Sequence, residues 1–428
     1  MKTPAKKVLI ISYYWPPAGG SGVQRWMYFA KHLKQLGWEP IVITVAVQEA
    51  SYVVLDNSLL KEVADIRVIK TSTREPLKWY SLLTTRSSKK GIPQGEIKQK
   101  SLLGKLAAYI RGNYFIPDAR KGWVPFALKA AQKELNKEAI SHLITTGPPH
   151  STHLIGLQLK SQFDLNWWVD FRDPWAEVFY NSDLYRTLKT IKKDLALEKQ
   201  VLQTANGVLT TVGGTLHNQL KVKAPKQCFV FIPNGYDAEL MENVQATKPK
   251  DVFHIVYTGL LTENQVHKSV LDALNKLSVE QPTRFSLAGI IAPEIITKIK
   301  KDLPKAEIIF YGYLSHKEAI GLMKSAHLLL NFIFTGAKTQ MISGKLLEYM
   351  ATAVPILSIG DPMSEAGKFI KQGSATQMIE STNSNEILAF LIKSANSKET
   401  ITNEFPELKN WSRKELTKKL IDSVLKAE

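Results

Sequence analysis

The chain has 428 residues, of which 44% are hydrophobic and 22% are charged, so its length predicts two domains and its composition excludes an intrinsically disordered protein. The 56 lysine and arginine residues outnumber the 39 aspartate and glutamate residues, which gives a formal net charge of +17 at pH 7. Such an excess favours an anionic partner: nucleotide phosphates, acidic lipid head groups or nucleic acid.

The cysteine content and the N-terminus bear on the compartment. A single cysteine, Cys228, excludes an intrachain disulfide and fits a reducing environment. The apolar run at residues 8–12 is too short for a signal peptide, and no stretch approaches the ~20 apolar residues of a spanning helix. We expect a cytoplasmic protein, with a peripheral position on the inner membrane face as an open alternative.

The first elements predict a strand, helix and strand. An apolar strand at 8–12 is followed by a glycine-containing loop, a helix that ends at Leu36 and a second strand at 40–45. Gly19, Gly20 and Gly22 lie at the turn from strand to helix, where a phosphate could approach the backbone closely. The spacing is not Gly-x-Gly-x-x-Gly, so the glycines are a weak signal for phosphate and an ordinary turn is the alternative interpretation.

Residues 74–133 form a basic insertion. This segment contains thirteen basic residues and three acidic ones, interleaved with tryptophan, tyrosine, phenylalanine and leucine. That mixture is typical of a segment that docks on an anionic membrane surface. The alternative is a solvated insertion whose apolar residues pack inward.

Polar residues follow the next predicted strands, at 141–146 and 167–171. They are His150, Asp170 and Asp173, and they lie near the carboxyl edge of a parallel sheet, where ligands bind in open α/β folds. Two structural alternatives stay open: an ion pair from Arg172 to one of these aspartates that fixes the loop, and a purely structural His150. His153 falls one turn inside the following helix and is the weaker candidate.

A second series of strands and helices begins after a polar boundary at 233–251. Strands are predicted at 254–258, 284–288, 307–310, 327–332, 356–359 and 376–379, and an amphipathic helix at 410–427 ends the chain. We expect two doubly wound α/β domains, one from residues 1–234 with 411–428 and the other from 235–410.

The stretch 340–361 carries the clearest candidate for a ligand site. It predicts a loop, a helix that begins near Ser343 and a buried strand at 356–359. The free amides and the dipole at Ser343 and Gly344 suit a phosphate, and Glu348, one turn further, could accept hydrogen bonds from two vicinal hydroxyls. A nucleotide sugar would satisfy both, although an exposed glutamate and a simple helix cap explain the same residues.

Several segments, in this order and spacing, resemble the family 4 glycosyltransferases of the GT-B fold. They are the first strand with Gly19-Gly20, Ile-Pro-Asn-Gly-Tyr-Asp at 232–237, Tyr-Thr-Gly at 257–259, Phe-Tyr-Gly-Tyr-Leu-Ser-His at 310–316 and Gly-Lys-Leu-Leu-Glu-Tyr at 344–349. The resemblance implies two Rossmann-like domains that face a central cleft, with a C-terminal helix that crosses back to the first domain. It also implies retaining transfer from a nucleoside diphosphate sugar, a UDP- or GDP-sugar, without a tightly bound metal or cofactor.

The resemblance assigns roles on the donor side. Glu348 matches the glutamate that holds the ribose hydroxyls, and Gln340 stands where a second glutamate contacts the donor sugar. Gly259, Ser343 and Gly344 match donor-binding positions. Leu260 and Gln265 replace the arginine and lysine that grip the diphosphate, so His267, Lys268 or Lys345 are the candidates to compensate.

The same resemblance places Asp173, Asp170 and His150 beside the acceptor or the transferred sugar. The amides near Gly19-Gly20 and Ser343-Gly344 would stabilise the departing phosphate, which can take the acceptor proton, so no pair of carboxylates is required.

Three functions follow from these observations. The first is a retaining glycosyltransferase that acts on a lipid-linked or polysaccharide acceptor in cell-surface glycan synthesis. The second is a GT-B-like scaffold or binding protein with a weakened donor site. Nucleic-acid binding is the weakest, because no recognised binding module accompanies the charge.

Overall fold

A computed structural model of the chain describes residues 6–52, 54–75, 102–333, 342–397 and 401–426. The chain divides into two compact units, Met1–Pro233 with Leu416–Glu428 and Asn234–Glu415. Of the basic insertion, residues 76–101 lie outside the described part of the chain.

The first unit is built on a sheet whose neighbouring strands all pair in parallel, in the order β3-β2-β1-β4-β5-β6-β7. Its strands are β1 Lys6–Ile11, β2 Trp38–Val45, β3 Arg67–Thr71, β4 His142–Gly147, β5 Asn166–Phe171, β6 Gly207–Thr210 and β7 Cys228–Phe231. The last four residues of β1 are fully buried, as expected for a central strand with both faces covered.

Helices of the first unit are α1 Ser21–Gln35, α2 Leu102–Tyr114, α3 Val124–Lys137, α4 Ser151–Lys160, α5 Leu188–Thr204 and α6 Thr215–Lys223. Short 3-10 segments lie at Asn57–Val63, Lys121–Trp123 and Phe179–Leu184. Helix α5 begins at Leu188 because the Thr187 hydroxyl accepts a hydrogen bond from the Thr190 amide and caps the helix.

The second unit repeats the plan with strands in the order β10-β9-β8-β11-β12-β13, again all in parallel. They are β8 Phe253–Thr258, β9 Thr283–Ala288, β10 Glu307–Phe310, β11 Leu328–Phe332, β12 Ile356–Ile359 and β13 Thr376–Ile379. Its helices are α7 Ala238–Asn243, α8 Lys268–Glu280, α9 Pro293–Asp302, α10 His316–Lys324, α11 Gly344–Ala351, α12 Glu365–Ile370 and α13 Ser384–Asn396.

The C-terminal segment differs from the single helix predicted over 410–427. A 3-10 turn at Leu408–Trp411 precedes α14 Arg413–Leu420, and a π-helical turn follows at Ile421–Leu425. Leu416, Leu420 and Val424 join the same buried cluster as Trp26 of α1, so the end of the chain belongs to the first unit.

Both sheets have the strand order of a doubly wound Rossmann-like domain, and ligands bind such sheets where the strand order reverses. In the first unit this switch point lies between β1 and β4, and in the second it lies between β8 and β11. The loops that leave these four strands at their carboxyl ends are therefore the places to look for a site.

Two further observations concern the described residues alone. None of their helices is both long enough and apolar enough to cross a membrane. No three histidine, cysteine, aspartate or glutamate side chains among them are grouped so as to hold a metal ion.

Candidate functional site

In the second unit, the switch point brings the end of β8 against the start of α11. Gly259 follows β8 with a φ of 120°, a conformation that L side chains rarely adopt. Ser343 is the residue that precedes α11. The Tyr349 hydroxyl accepts a hydrogen bond from the Thr258 amide at 2.8 Å, which holds the helix on the end of the strand.

Lys345 lies directly in front of Gly259. Its Nζ donates to the Tyr257 hydroxyl at 2.8 Å and lies 4.0 Å from the centre of that ring, and a methyl group at Gly259 would be 3.7 Å from Nζ. Burial lowers the pKa of Lys345 to about 7. None of the ion pairs found among the described residues includes Lys345, so this ammonium group has no carboxylate to balance it and suits an incoming anion.

Glu348 faces two basic side chains. Its Oε1 accepts hydrogen bonds from His316 Nε2 at 2.7 Å and from Arg413 Nη2 at 3.1 Å, and 12% of its side chain stays exposed. Burial raises the pKa of Glu348, but the charges and hydrogen bonds of His316 and Arg413 outweigh it, so the pKa lies below 4.5. The carboxylate is therefore ionised at neutral pH and fixed in position.

The other donor-side candidates are placed as follows. Gln340 lies outside the described residues. His267 is the residue that precedes α8, burial lowers its pKa, and Lys268 next to it is exposed. Among the described residues, no hydrogen bond or ion pair joins His267 or Lys268 to Lys345 or Glu348.

Gln265 and Leu260, in the loop after β8, differ in exposure. Gln265 is buried, and its amide oxygen accepts from the Thr262 amide while its NH₂ group donates to the Phe332 carbonyl. Gln265 therefore builds the loop after β8. The Leu260 side chain is 44% exposed.

In the first unit, Gly19 and Gly20 form the turn between β1 and α1. Gly20 has a φ of 96°, which explains a glycine at this position. The Gly19 amide already donates to the Val54 carbonyl at 2.9 Å, so in this conformation it contributes to the turn and is engaged within the chain.

Asp170 at the end of β5 is completely buried. It pairs with Arg25 of α1 at 2.8 Å and accepts further hydrogen bonds from Trp26 Nε1 and the Thr146 hydroxyl. This network ties β5 to α1 and β4, which gives Asp170 a structural position and no exposed surface for a ligand.

The suggested ion pair between Arg172 and an aspartate is absent from the ion pairs of the described residues. Arg172 instead donates to the backbone carbonyls of Gly147, Gly22 and Pro148. Asp173 is partly exposed; burial raises its pKa, and the nearby Arg172 opposes that effect. Of the two aspartates, Asp173 is the accessible one.

His150 and His153 converge on Gly147 at the end of β4. His150 stacks on Trp175 with ring centres 5.3 Å apart, and a methyl group at Gly147 would lie 2.7 Å from both His150 Nδ1 and His153 Nε2. These two nitrogen atoms are buried and have no hydrogen-bond partner in the part of the chain that the structure describes. A glycine at 147 is therefore required by both imidazoles.

The protonation of His150 follows from its partner. Its Nε2 faces the Pro174 carbonyl at 3.3 Å, and because a carbonyl only accepts, the proton of the neutral ring lies on Nε2 and Nδ1 is an acceptor. Burial lowers the pKa of His150 well below 6.5 and that of His153 to about 3. His150 is thus neutral at physiological pH and a weak general base.

A cavity of about 50 Å³ lies beside this histidine. Its wall includes Arg111, Phe115, Asp118, His150, Trp175 and Arg186. Aromatic faces together with charged groups are a combination that binds polar ligands such as sugars or phosphates.

Sequence reasoning missed the partners of the two central donor-side residues. Tyr257 lies within a segment that carried the resemblance, but its contact with Lys345 joins residues far apart in the chain. His316 likewise ended a recognised segment, whereas nothing in the pattern around Arg413 connected it with Glu348.

Part of the chain matches a known protein family. Residues 252–395 match the model of the glycosyl transferases group 1 family, which covers β8 to α13 of the second unit. No curated protein sequence matches the chain.

Solved structures match the whole chain at low sequence identity. A glycosyltransferase from Rickettsia africae is 14% identical with a TM-score of 0.65, and the match covers 100% of both chains. HepE of Anabaena in complex with UDP and glucose is 11% identical with a TM-score of 0.62 over 99% of this chain and 100% of that one. The lipopolysaccharide outer core galactosyltransferase WaaB is 11% identical with a TM-score of 0.57 over 98% and 99%. The two Rossmann-like sheets and these neighbours show a GT-B fold.

Proposed function

We propose that this protein is a retaining family 4 glycosyltransferase that moves a sugar from a nucleoside diphosphate sugar to a lipid-linked or polysaccharide acceptor in cell-surface glycan synthesis. One observation carries the proposal. At the switch point of the second unit, the amino group of Lys345, in the first turn of α11, lies in front of Gly259 and forms no ion pair with a carboxylate of the described residues. The group 1 glycosyltransferase match over 252–395 supports the same reaction class.

The donor diphosphate is expected to lie between Lys345 and the first amides of α11. Lys345 replaces the charge that Leu260 and Gln265 cannot supply, with His267 and Lys268 as outer contacts. Negative charge develops on the diphosphate as the glycosidic bond breaks, and fixed donors in a buried site stabilise it strongly. Because this chain supplies its own cation, we propose that transfer continues in the presence of a chelator such as EDTA.

The rest of the donor is assigned to three side chains. Glu348, ionised and held by His316 and Arg413, accepts hydrogen bonds from the ribose hydroxyls. Gln340 contacts the transferred sugar. UDP is the first nucleotide to test, because HepE binds UDP and UDP-glucose and shares this fold; GDP is the alternative.

The first unit is proposed to hold the acceptor. The accessible Asp173 would orient the attacking hydroxyl, with His150, which lines the neighbouring cavity, as the second contact, while Asp170 ties β5 to β4 and α1. In a retaining transfer, the hydroxyl forms the new bond on the face from which the diphosphate leaves, and a phosphate oxygen takes its proton. Because a phosphate oxygen takes the proton, this route does not need His150 as a general base, in agreement with the low pKa of His150.

Hydrolysis of a panel of nucleotide sugars tests the proposal. We expect turnover of one UDP- or GDP-sugar, and a loss of about 10- to 100-fold in the Glu348→Gln variant, the range for removing a hydrogen bond to a charged group. Glu280→Ala is the matched control, because Glu280 ends α8 at the opposite edge of the sheet. Unchanged hydrolysis in Glu348→Gln would remove the ribose assignment.

The scaffold alternative is favoured by one observation, the engagement of Glu348 Oε1 by two basic side chains of the same chain. Thermal shift separates the two functions. An enzyme is stabilised by UDP or GDP by mass action, whereas a scaffold without a donor site shows no shift with any nucleoside diphosphate.

A further inference from the structure

Four bulky apolar side chains of helix α2 face outward. Leu106, Tyr109, Ile110 and Tyr114 are 55%, 39%, 42% and 65% exposed. The small residues face the protein instead: Ala108 is fully buried, and a methyl group at Gly112 would lie 2.5 Å from the Leu184 carbonyl. A surface helix of a soluble domain shows the reverse arrangement, so this outer face is built for an apolar neighbour.

The start of α5 extends that face. Tyr185 and Leu188 are 44% and 77% exposed. Asn113 of α2 joins the two segments, since its Nδ2 donates to the Tyr185 carbonyl at 3.1 Å and its Oδ1 accepts from the Thr187 amide at 2.8 Å. We call the six exposed residues the apolar patch: Leu106, Tyr109, Ile110, Tyr114, Tyr185 and Leu188.

Cations surround the apolar patch. Residues 102–114 and 183–194 contain six basic residues and two acidic ones, Asp183 and Asp194, and Arg186 is paired with Asp194. Three of the lysines, Lys189, Lys192 and Lys193, are exposed on the first turns of α5. Lys121 adds a further cation at the end of α2, where its Nζ donates to the Tyr114 carbonyl.

We propose that the apolar patch docks this protein on an anionic lipid bilayer. Aliphatic side chains would enter the boundary of the acyl chains, tyrosine rings would lie at head-group level, and the lysines would contact anionic lipid. The two contributions act together, because a single weak anchor holds a protein on a membrane only marginally. The excess of basic over acidic side chains around the patch selects a bilayer of negative charge over a second copy of this equally basic chain.

The apolar patch lies on the opposite side of α2 from the cavity beside His150. Arg111 and Gly112, on the inner side of α2, line the cavity beside His150. With α2 docked, this cavity would lie at the bilayer surface, where the polar head of a lipid-linked acceptor is found. This last step rests on the proposed function, whereas membrane docking itself does not.

Co-sedimentation with vesicles tests the docking. The full chain is mixed with phosphatidylcholine vesicles and with vesicles of phosphatidylcholine and phosphatidylglycerol. We expect binding to the anionic vesicles, weakened by raising the salt from about 0.1 M to about 1 M, and a loss of about tenfold or more in Leu106→Ser/Ile110→Ser. The matched control is Val222→Ser/Val279→Ser, since these valines are 81% and 67% exposed and lie outside the patch.

Three results would overturn the proposal: no binding of the unaltered chain to anionic vesicles, equal binding by the patch variant, or an equal loss in the control. A dimer in analytical ultracentrifugation that the patch variant dissociates would assign the patch to a second copy of the chain and would also overturn it. A UDP-induced thermal shift, measured on the same samples, reports on the donor site separately.

Discussion

Replacing Lys345 by methionine is expected to stabilise the unliganded protein. Burial lowers the pKa of this lysine from 10.5 to about 7, and because the unfolded chain binds the proton more tightly, the lysine destabilises the fold. The effect is complete below pH 7 and disappears as the pH rises to 10.5. It corresponds to about 5 kcal/mol at pH 6 and about 2 kcal/mol at pH 9.

The variant also loses the hydrogen bond to Tyr257 and, where the amine is charged, its contact with the ring, which together amount to about 2 kcal/mol at pH 6 and about 1 kcal/mol at pH 9. The net gain is therefore about 3 kcal/mol at pH 6 and about 1 kcal/mol at pH 9, so a rise in Tm of about 5 °C or more is expected at the lower pH only. Scanning fluorimetry at both pH values measures it. Lys298→Met, at an exposed lysine of α9, is the control and should leave Tm unchanged.

The same substitution should weaken UDP binding by about 10- to 100-fold, the range for a charge-assisted hydrogen bond. Gain of stability with loss of ligand affinity is the signature of a charge retained for binding. A Lys345→Met variant that is less stable than the unaltered protein at pH 6, or that binds UDP equally well, would refute the reasoning.

Four further substitutions test the site. Gly147→Ala places a methyl group 2.7 Å from His150 Nδ1 and His153 Nε2, so we expect a loss of about 1–3 kcal/mol in the free energy of unfolding; an unchanged Tm would contradict the convergence of these rings. Asp170→Ala leaves the buried Arg25 unpaired and should destabilise by about 3–5 kcal/mol, whereas Asp173→Asn should change stability by less than about 0.5 kcal/mol. Glu348 has a folded pKa below 4.5, so its stabilising effect is present above that pH and is lost as the pH falls. The stability difference between the unaltered protein and Glu348→Gln should accordingly shrink during an acid titration below pH 4.5, and a difference that is constant with pH would contradict the ion pairs.

The sequence pattern predicted most strands because buried parallel strands are short apolar runs between turn residues. Strand β3, Arg67–Thr71, was missed. It lies at the edge of the sheet, it contains the charged residues Arg67 and Lys70, and most of it is only partly buried, so it has no continuous apolar run. The C-terminal helix was predicted as one element, but it ends in a π-helical turn whose residues pack into the first unit, and such a tertiary effect has no local signal.

Only those features of the candidate site that depend on neighbouring residues in the sequence could be predicted. Gly259 and Ser343 could be located because turn glycines and helix caps are local features. The contacts of Glu348 could not, because His316 and Arg413 lie 32 and 65 residues away along the chain. The Arg172 ion pair that the sequence left open as an alternative is replaced by three backbone carbonyls, since a guanidinium is satisfied equally by the uncharged acceptors of neighbouring backbone.

Calorimetric titration with UDP and GDP at pH 8, in buffers of different ionisation enthalpy, tests the central claim most directly. At that pH a lysine with a pKa of about 7 is mostly neutral, and a diphosphate beside it draws a proton onto the amine. The account predicts saturable binding of one nucleotide with uptake of about one proton, and no uptake in Lys345→Met. No binding of either nucleotide, or the same proton uptake in the variant, would contradict it.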